Sequence, residues 1–441
     1  MKAEKQNVLP MLYPNAAGID ISSKEHYVAV NPQLHKESVR SFGSFTEDLL
    51  KLADWLKSCQ VDTVAMEATG IYWVSLFLVL EQAGFDVVLV TAKHVKNVRG
   101  KKTDVSDAEW IRQLHSCGLL SASFQPDAFT RTLRSYTRHR KNLLEMSATH
   151  IRMMHKALEQ MNIKVQYVIA DITGKSGQAI IRAILKGERD AQVLASCCDR
   201  RINKSKAPDI ISSLHGLWKE EHLFELEQSF QMYHHYQRQI KECDKKIEKH
   251  LSEKAAAQAP GSKGKKFVKA NKNSLNFNAK AMLEQITGTN LSAIFGISDT
   301  NALELLSEVG LDMSKWPSSK HFVSWLNLAP NTKISGGKVL SSRIAKKKNH
   351  AGQIFKMAAY AVQRSKNWLA AFYQRIKYKS GSRKAIVATA RKIAAIFYTM
   401  LKDKAPFNPI PIETYQQASS TRKLKALKRQ ALSLGFQLIE I

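Results

Sequence analysis

The sequence predicts an α/β domain, then a middle built on long helices, then a mainly α C-terminal domain. Three observations carry this. The first 92 residues alternate short apolar runs with stretches of helical spacing. Two long segments, about Phe129 to Met161 and Leu217 to Leu251, keep helical spacing with few breakers. Residues from about Ala279 onward are helical in pattern and strongly basic.

In the α/β part, Ala16–Ile21 is a short apolar run ending at an acid, Asp20. A turn at Ser22-Ser23-Lys24 leads to Tyr27–Val30, and Ser38–Phe45 can form a third strand. Leu49, Leu50, Leu52, Ala53 and Leu56 have the spacing of a helix face. Thr63–Met66 reads as a buried strand ending at Glu67. Ile71–Ala83 is an amphipathic helix closed by Gly84, and Phe85–Val90 is a further strand. A helix follows from about Val105. Three strands, then helix–strand units, is the chain order of a ribonuclease-H-like domain, a likeness of order alone.

The middle and end divide by composition. The expected units are 1–125 for the α/β domain and 126–254 for the long helices with their insert. Residues 255–278 are a basic linker rich in Lys, Gly, Ser and Asn, and 279–441 form a basic helical domain. The two long helices suggest an antiparallel coiled coil or dimer arm, or else two helices packed on a common core.

The formal net charge is +29. From Lys315 to the end, 25 Lys and Arg stand against three acids, Asp403, Glu413 and Glu440. Charge concentrated in one segment points to a phosphate-rich partner. No apolar run is long enough to span a membrane, and the N-terminus lacks the apolar stretch of a signal peptide. The five cysteines include no C-x-x-C pair, so neither a zinc site nor a disulfide framework is expected. A cytoplasmic protein fits this usage.

Four carboxylates are the candidate chemistry. Asp20 and Glu67 end two strands that would be neighbours in the sheet. Asp104 and Asp107 stand three apart at a helix start and would face one side. Four acids on one rim repel without a cation, and hard oxygen ligands suit Mg²⁺, or Mn²⁺. Such ions, singly or as a pair about 4 Å apart, stabilise a phosphate undergoing displacement. Lys96, Arg99, Lys101 and Lys102 precede the aspartate pair and could hold that phosphate. Each acid also has a plain reading. Asp20 suits a turn, Glu67 suits a helix cap, and Thr103–Asp107 suits an N-cap with acids in the first turn.

Gly18-Ile19-Asp20, Met66-Glu67-Ala68-Thr69-Gly70-Ile71-Tyr72 and Lys102-Thr103-Asp104-Val105-Ser106-Asp107-Ala108 resemble the DEDD transposases of the insertion-sequence one-ten family. The resemblance resumes at Ile294–Ile297 and Leu305–Gly310. It continues through Trp325–Pro330 and Ile334-Ser335-Gly336-Gly337-Lys338 to Ala358-Ala359. These are bridge-RNA-guided recombinases with a Holliday-junction-resolvase-like N-terminal domain. The resemblance implies that Ser335 attacks a DNA phosphodiester and forms a phosphoserine intermediate, helped by Mg²⁺ on the acidic cluster. It also implies donor and target DNA, a bridge RNA, and homodimers that assemble into a tetramer on synapsis in a prokaryotic cell.

Local sequence is compatible with that role. Gly336 and Gly337 let backbone approach phosphate, and Lys338, Arg343, Lys346, Lys347 and Lys348 supply charge. Ser335-Gly336-Gly337 read by itself is also an ordinary turn, and Ser341 and Ser342 are rival nucleophiles. One departure stands out: Ile294-Phe295-Gly296-Ile297-Ser298 has a serine where phosphate-gripping helical hairpins carry a second glycine. The acids and Ser335 are more than 200 residues apart, so they could meet within one chain or, as the long helices favour, between chains. Two other functions remain: a metal-dependent junction nuclease using water, and a non-catalytic RNA- or DNA-binding protein.

Overall fold

The computed structural model describes residues 10–91, 103–257, 271–344 and 349–439. They form two compact units, 1–125 and 126–441.

The first unit contains strands β1 (Ala16–Ile21), β2 (Glu25–Ala29) and β3 (Val39–Gly43), then helix α1 (Thr46–Ser58) and β4 (Thr63–Glu67). Helix α2 (Trp73–Gln82), β5 (Asp86–Val90) and α3 (Asp104–Ser116) complete it. The sheet order is β3-β2-β1-β4-β5. β1–β2 and β2–β3 are antiparallel, while β1–β4 and β4–β5 are parallel. This is the ribonuclease-H-like arrangement. β1 reads as a nearly continuous apolar run because both faces are covered.

Alternation along the strands decides which face each residue serves. Ala17, Ile19, Ile21, Val64 and Met66 pack with Leu49, Leu52, Leu56, Leu76 and Leu80 of α1 and α2. Each fully buried leucine there contributes roughly 2 kcal/mol. The opposite face carries Ala65 and Val90 against Ile111 of α3. There α3 lies so close to β1 that a Cβ on Gly18 would meet the Arg112 nitrogen at 2.2 Å and the Ala108 oxygen at 2.5 Å. Gly18 is what lets the helix lie against the strand.

The second unit is mostly helical. Its core is the antiparallel pair α4 (Ala128–Gln160) and α9 (Glu220–Ala256). At 33 and 37 residues these helices run about 50 and 55 Å. Phe129 stacks on His250, while Ser147 bonds Gln237 and His150 stacks on Tyr236, which fixes the antiparallel register. Between them in sequence lie α5 (Val165–Val168), α6 (Lys175–Leu185), α7 (Ala191–Ser196) and α8 (Arg200–Leu214). These short helices build their own apolar core, with Ile180, Ile184, Leu194 and Leu214 packed together with Leu158 and Leu226.

Then come α10 (Ala279–Thr287), α11 (Asp299–Val309), α12 (Ser319–Trp325), a hairpin of β6 (Lys333–Ser335) and β7 (Lys338–Ser341), and α13 (His350–Val362). α14 (Trp368–Ser380), α15 (Ser382–Asp403) and α16 (Ile412–Ser433) follow. Phe322, Phe355 and Phe397 centre the core of this bundle.

The stretch 255–278 is only partly the free linker its composition suggests. Residues 258–270 lie outside the described residues, but both flanks are packed. Ala255, Leu275 and Phe277 are buried, and Asn276 donates to the Asp244 carboxylate. Three apolar side chains and one asparagine outweigh the polar composition around them. The hairpin-like segment at Gly296 also has a structural task. A Cβ there would strike the Ala358 oxygen at 2.5 Å, so Gly296 admits α13. Ser298 caps α11 by accepting from the Asn301 amide at 3.2 Å.

Candidate active site

The parallel register sets Ile19 beside Met66, which leaves Asp20 and Glu67 at the same end of adjacent strands. Both follow the alternation that carries Gly18 and Ala65, so both face α3. α3 begins above that end. Its cap is a reciprocal pair: Thr103 Oγ1 accepts from the Ser106 amide at 3.2 Å, and Ser106 Oγ accepts from the Thr103 amide at 2.9 Å. The side-chain cap therefore uses Thr103 and Ser106.

The four acids share one electrostatic environment. Burial, then the charges of Asp107, Asp104 and Glu67, raise the Asp20 carboxyl to about 6, against a bond from the Ile21 backbone. Glu67 is half-buried and accepts from the Thr69 hydroxyl at 3.4 Å. Asp104 is exposed and Asp107 half-buried. Among the described residues no three Asp, Glu, His or Cys side chains are drawn together as a finished metal-ligand set. Asp20 thus feels three further acids, one on the adjacent strand end and two at the start of α3.

One neighbour escaped sequence reasoning. Tyr27 pairs across the sheet with Asp20. Its hydroxyl donates to Glu25 Oε2 at 3.1 Å, and that bond with the Glu25 charge pushes the phenol up. The signal was the Ser22–Glu25 turn, whose Ser22 hydroxyl accepts from the Glu25 amide at 3.1 Å and so sets the β1–β2 register. Lys96, Arg99, Lys101 and Lys102, read as phosphate ligands, lie outside the described residues.

Ser335 belongs to the second unit. It ends β6 and pairs with Lys338 across a two-residue turn. Gly336 and Gly337 have φ of +53° and +74°, the left-handed pair that a type I′ hairpin turn requires. A Cβ on either glycine would meet nothing within 4 Å, so backbone conformation is the reason for glycine here. The turn reading of this segment is thus correct. The same turn leaves Ser335 exposed, with Lys333 and Lys338 also exposed. Arg343 is exposed, and its carbonyl accepts from the Asn331 amide at 3.0 Å near the hairpin base. Lys346, Lys347 and Lys348 lie outside the described residues. Ser341 Oγ accepts from the Arg343 amide at 3.3 Å, a structural bond that Ser335 Oγ lacks among the described residues.

Two family models match the chain. A DEDD transposase model of the IS110 group covers residues 17–163, which include all four acids. A second, described as the transposase IS116/IS110/IS902 family, covers residues 288–374, which include the β6–β7 hairpin. The chain is an IS110-family transposase. Its activity is the cutting and rejoining of DNA during transposition. No curated protein matches it. Among the described residues of this transposase, no helix is long and apolar enough to cross a membrane.

Proposed function

We propose that this transposase cuts and rejoins DNA through Ser335, assisted by a divalent cation on the acidic rim and directed to its sites by a non-coding bridge RNA. The observation that carries the serine half is the hairpin. It presents the Ser335 hydroxyl, exposed, beside a two-residue turn, with Lys333 and Lys338 also exposed. Ser335 Oγ attacks phosphorus and gives up its proton, while the bond to the leaving sugar oxygen breaks and that oxygen takes up a proton. The phosphate stays on Ser335 as a diester. A hydroxyl of another strand then reverses the step, so no external energy source is needed.

The donor set supports the metal half. Asp20, Glu67, Asp104 and Asp107 offer only oxygen atoms, and their mutual repulsion is relieved by a cation such as Mg²⁺ or Mn²⁺. When bound, that cation supplies charge neutralisation at the phosphate. The protein's own part is to hold the donors on two strand ends and one helix start. Recombination joins two sites, so the working form is a dimer on each site and a tetramer when they are brought together. In guided enzymes the nucleic acid reads sequence while the protein reads backbone and shape. The basic C-terminal domain suits that division of labour.

A suicide DNA substrate with a labelled strand tests the chemistry. Label retained on the denatured wild-type chain, and absent with Ser335→Ala, supports the serine. Cleavage releasing all label as free product assigns the reaction to water instead. Sequencing of RNA that purifies with the chain tests the guide, and a preparation that is active without RNA contradicts it.

A further inference from the structure

A cleft of about 630 Å³ opens between α12, α15 and the chain that leaves β7. Its size is that of a small-ligand site. Lys320, Lys384, Arg391 and Lys392 stand on it and are exposed, and its lining contains no carboxylate among the described residues. Three other clefts of the second unit each include acids: Asp299 and Glu304 in one, Asp171 and Asp199 in another, Glu413 in the third. The floor is apolar, from Val323, Leu328, Phe372 and Ala388.

The cleft exists because of one helix face. Lys384, Ala388, Arg391 and Ala395 recur on α15 at spacings of four, three and four, so cations and small residues share one stripe. The alanines leave the space, and the cations border it. Cations around an apolar, aromatic floor match an unpaired nucleotide: the base takes the floor and its phosphates take the rim. A paired duplex cannot place a base there without extruding it.

Position adds the partner. Ser342 and Ile344 line the cleft and directly follow β7. Ser335 pairs with Lys338, three residues before Ser341, so the serine stands about 10 Å along the hairpin at ~3.4 Å per residue. We infer that this cleft holds an unpaired nucleotide of the DNA strand being cut, a short distance along that strand from the phosphate at Ser335. The inference rests on the reading that Ser335 works on a DNA strand.

The test is binding of a fluorescent oligothymidylate to the full chain in EDTA, where no cleavage is read. Ala388→Leu with Ala395→Leu fills the cleft and leaves every charge in place. Affinity is expected to fall roughly tenfold or more with an unchanged or higher melting temperature. Lys384→Gln with Arg391→Gln, both exposed, should flatten the slope of log affinity against log salt by about 1.4, at ~0.7 per contact. Wild-type affinity in the filled variant overturns the inference, as does a duplex that competes as well as the strand. If the filled variant does not fold, an unchanged salt slope in the charge variant overturns it. Oligouridylate competing better than oligothymidylate overturns the assignment to DNA. Failure here leaves the covalent adduct at Ser335 untouched, and failure of that adduct leaves this binding unchanged.

Discussion

Two carboxylates, one in each unit, are treated in opposite ways. Asp20 is raised to about 6 by burial and then by three further acids. Glu308, on α11, is also pushed up by burial, yet it is held at about 2. Its company makes the difference. Arg138 grips it with two bonds of 2.8 and 2.9 Å, His350 Nδ1 lies 3.2 Å away, and Arg134 adds charge at 3.5 Å. Glu308 therefore arrives with its own counterions and ties α11 to α4. The charges acting on Asp20 are carboxylates. Glu308 is satisfied by cations of its own chain, whereas the proposed function gives the acids around Asp20 a cation from outside.

The largest expected effect breaks the Asp20 side of this comparison. Asp20→Asn or Glu67→Gln should lower DNA cleavage roughly 10³-fold or more, since a catalytic cation supplies several kcal/mol. Cleavage by either variant within tenfold of wild type in Mg²⁺ would remove the rim from the chemistry. Mixing Asp20→Asn with Ser335→Ala chains sharpens the point. Restored cleavage means that the two half-sites meet between chains.

Breaking the Glu308 side should cost stability. Glu308→Gln leaves Arg138 and Arg134 without their shared partner, at about 3–5 kcal/mol, read by urea unfolding. The pH dependence has a definite sign. A carboxyl whose folded value is depressed stabilises above its ordinary value of 4.5 and loses that contribution as pH falls toward 2. Wild type should thus lose its advantage over Glu308→Gln across that window.

Gly18→Ala should cost about 1–3 kcal/mol through overpacking. It should also reduce cleavage, because the helix carrying Asp104 and Asp107 must move off β1. Wild-type cleavage in that variant would show that the position of α3 is unimportant.

The smallest effect has the opposite sign. A raised folded value favours folding at low pH, and that contribution is lost as pH rises from about 4 through 6. Without metal at pH 8, Asp20→Asn should therefore be more stable than wild type, by on the order of 1 kcal/mol once solvent screening is allowed for. Mg²⁺ should raise the melting temperature of wild type alone.

Much of the first unit was legible from local pattern. Strand period and acids at strand ends placed Asp20 and Glu67, and Thr103 with Ser106 announced the start of α3. Gly336-Gly337 marked a turn, but the strands on either side of it did not stand out in a segment of helical pattern. The second unit hid what depends on distant pairing. Arg138 and Glu308 meet across 170 residues of sequence. Arg140 and Asp244 form a buried ion pair across 104. No local period signals such pairs. Leu275 and Phe277 were likewise hidden by the polar residues around them. Tyr27 needed the exact hairpin register, which only the pairing of β1 with β2 supplies.

In the proposed mechanism an acidic rim and a distant serine serve one reaction. Its most direct test is the mass of DNA-bearing peptides after digestion of a trapped reaction, with and without Mg²⁺. One modified peptide is expected, with the DNA on Ser335, formed only with the cation and lost in Asp20→Asn. DNA on Ser341 or Ser342, or an adduct on Ser335 that forms equally well without metal and without Asp20, would contradict it.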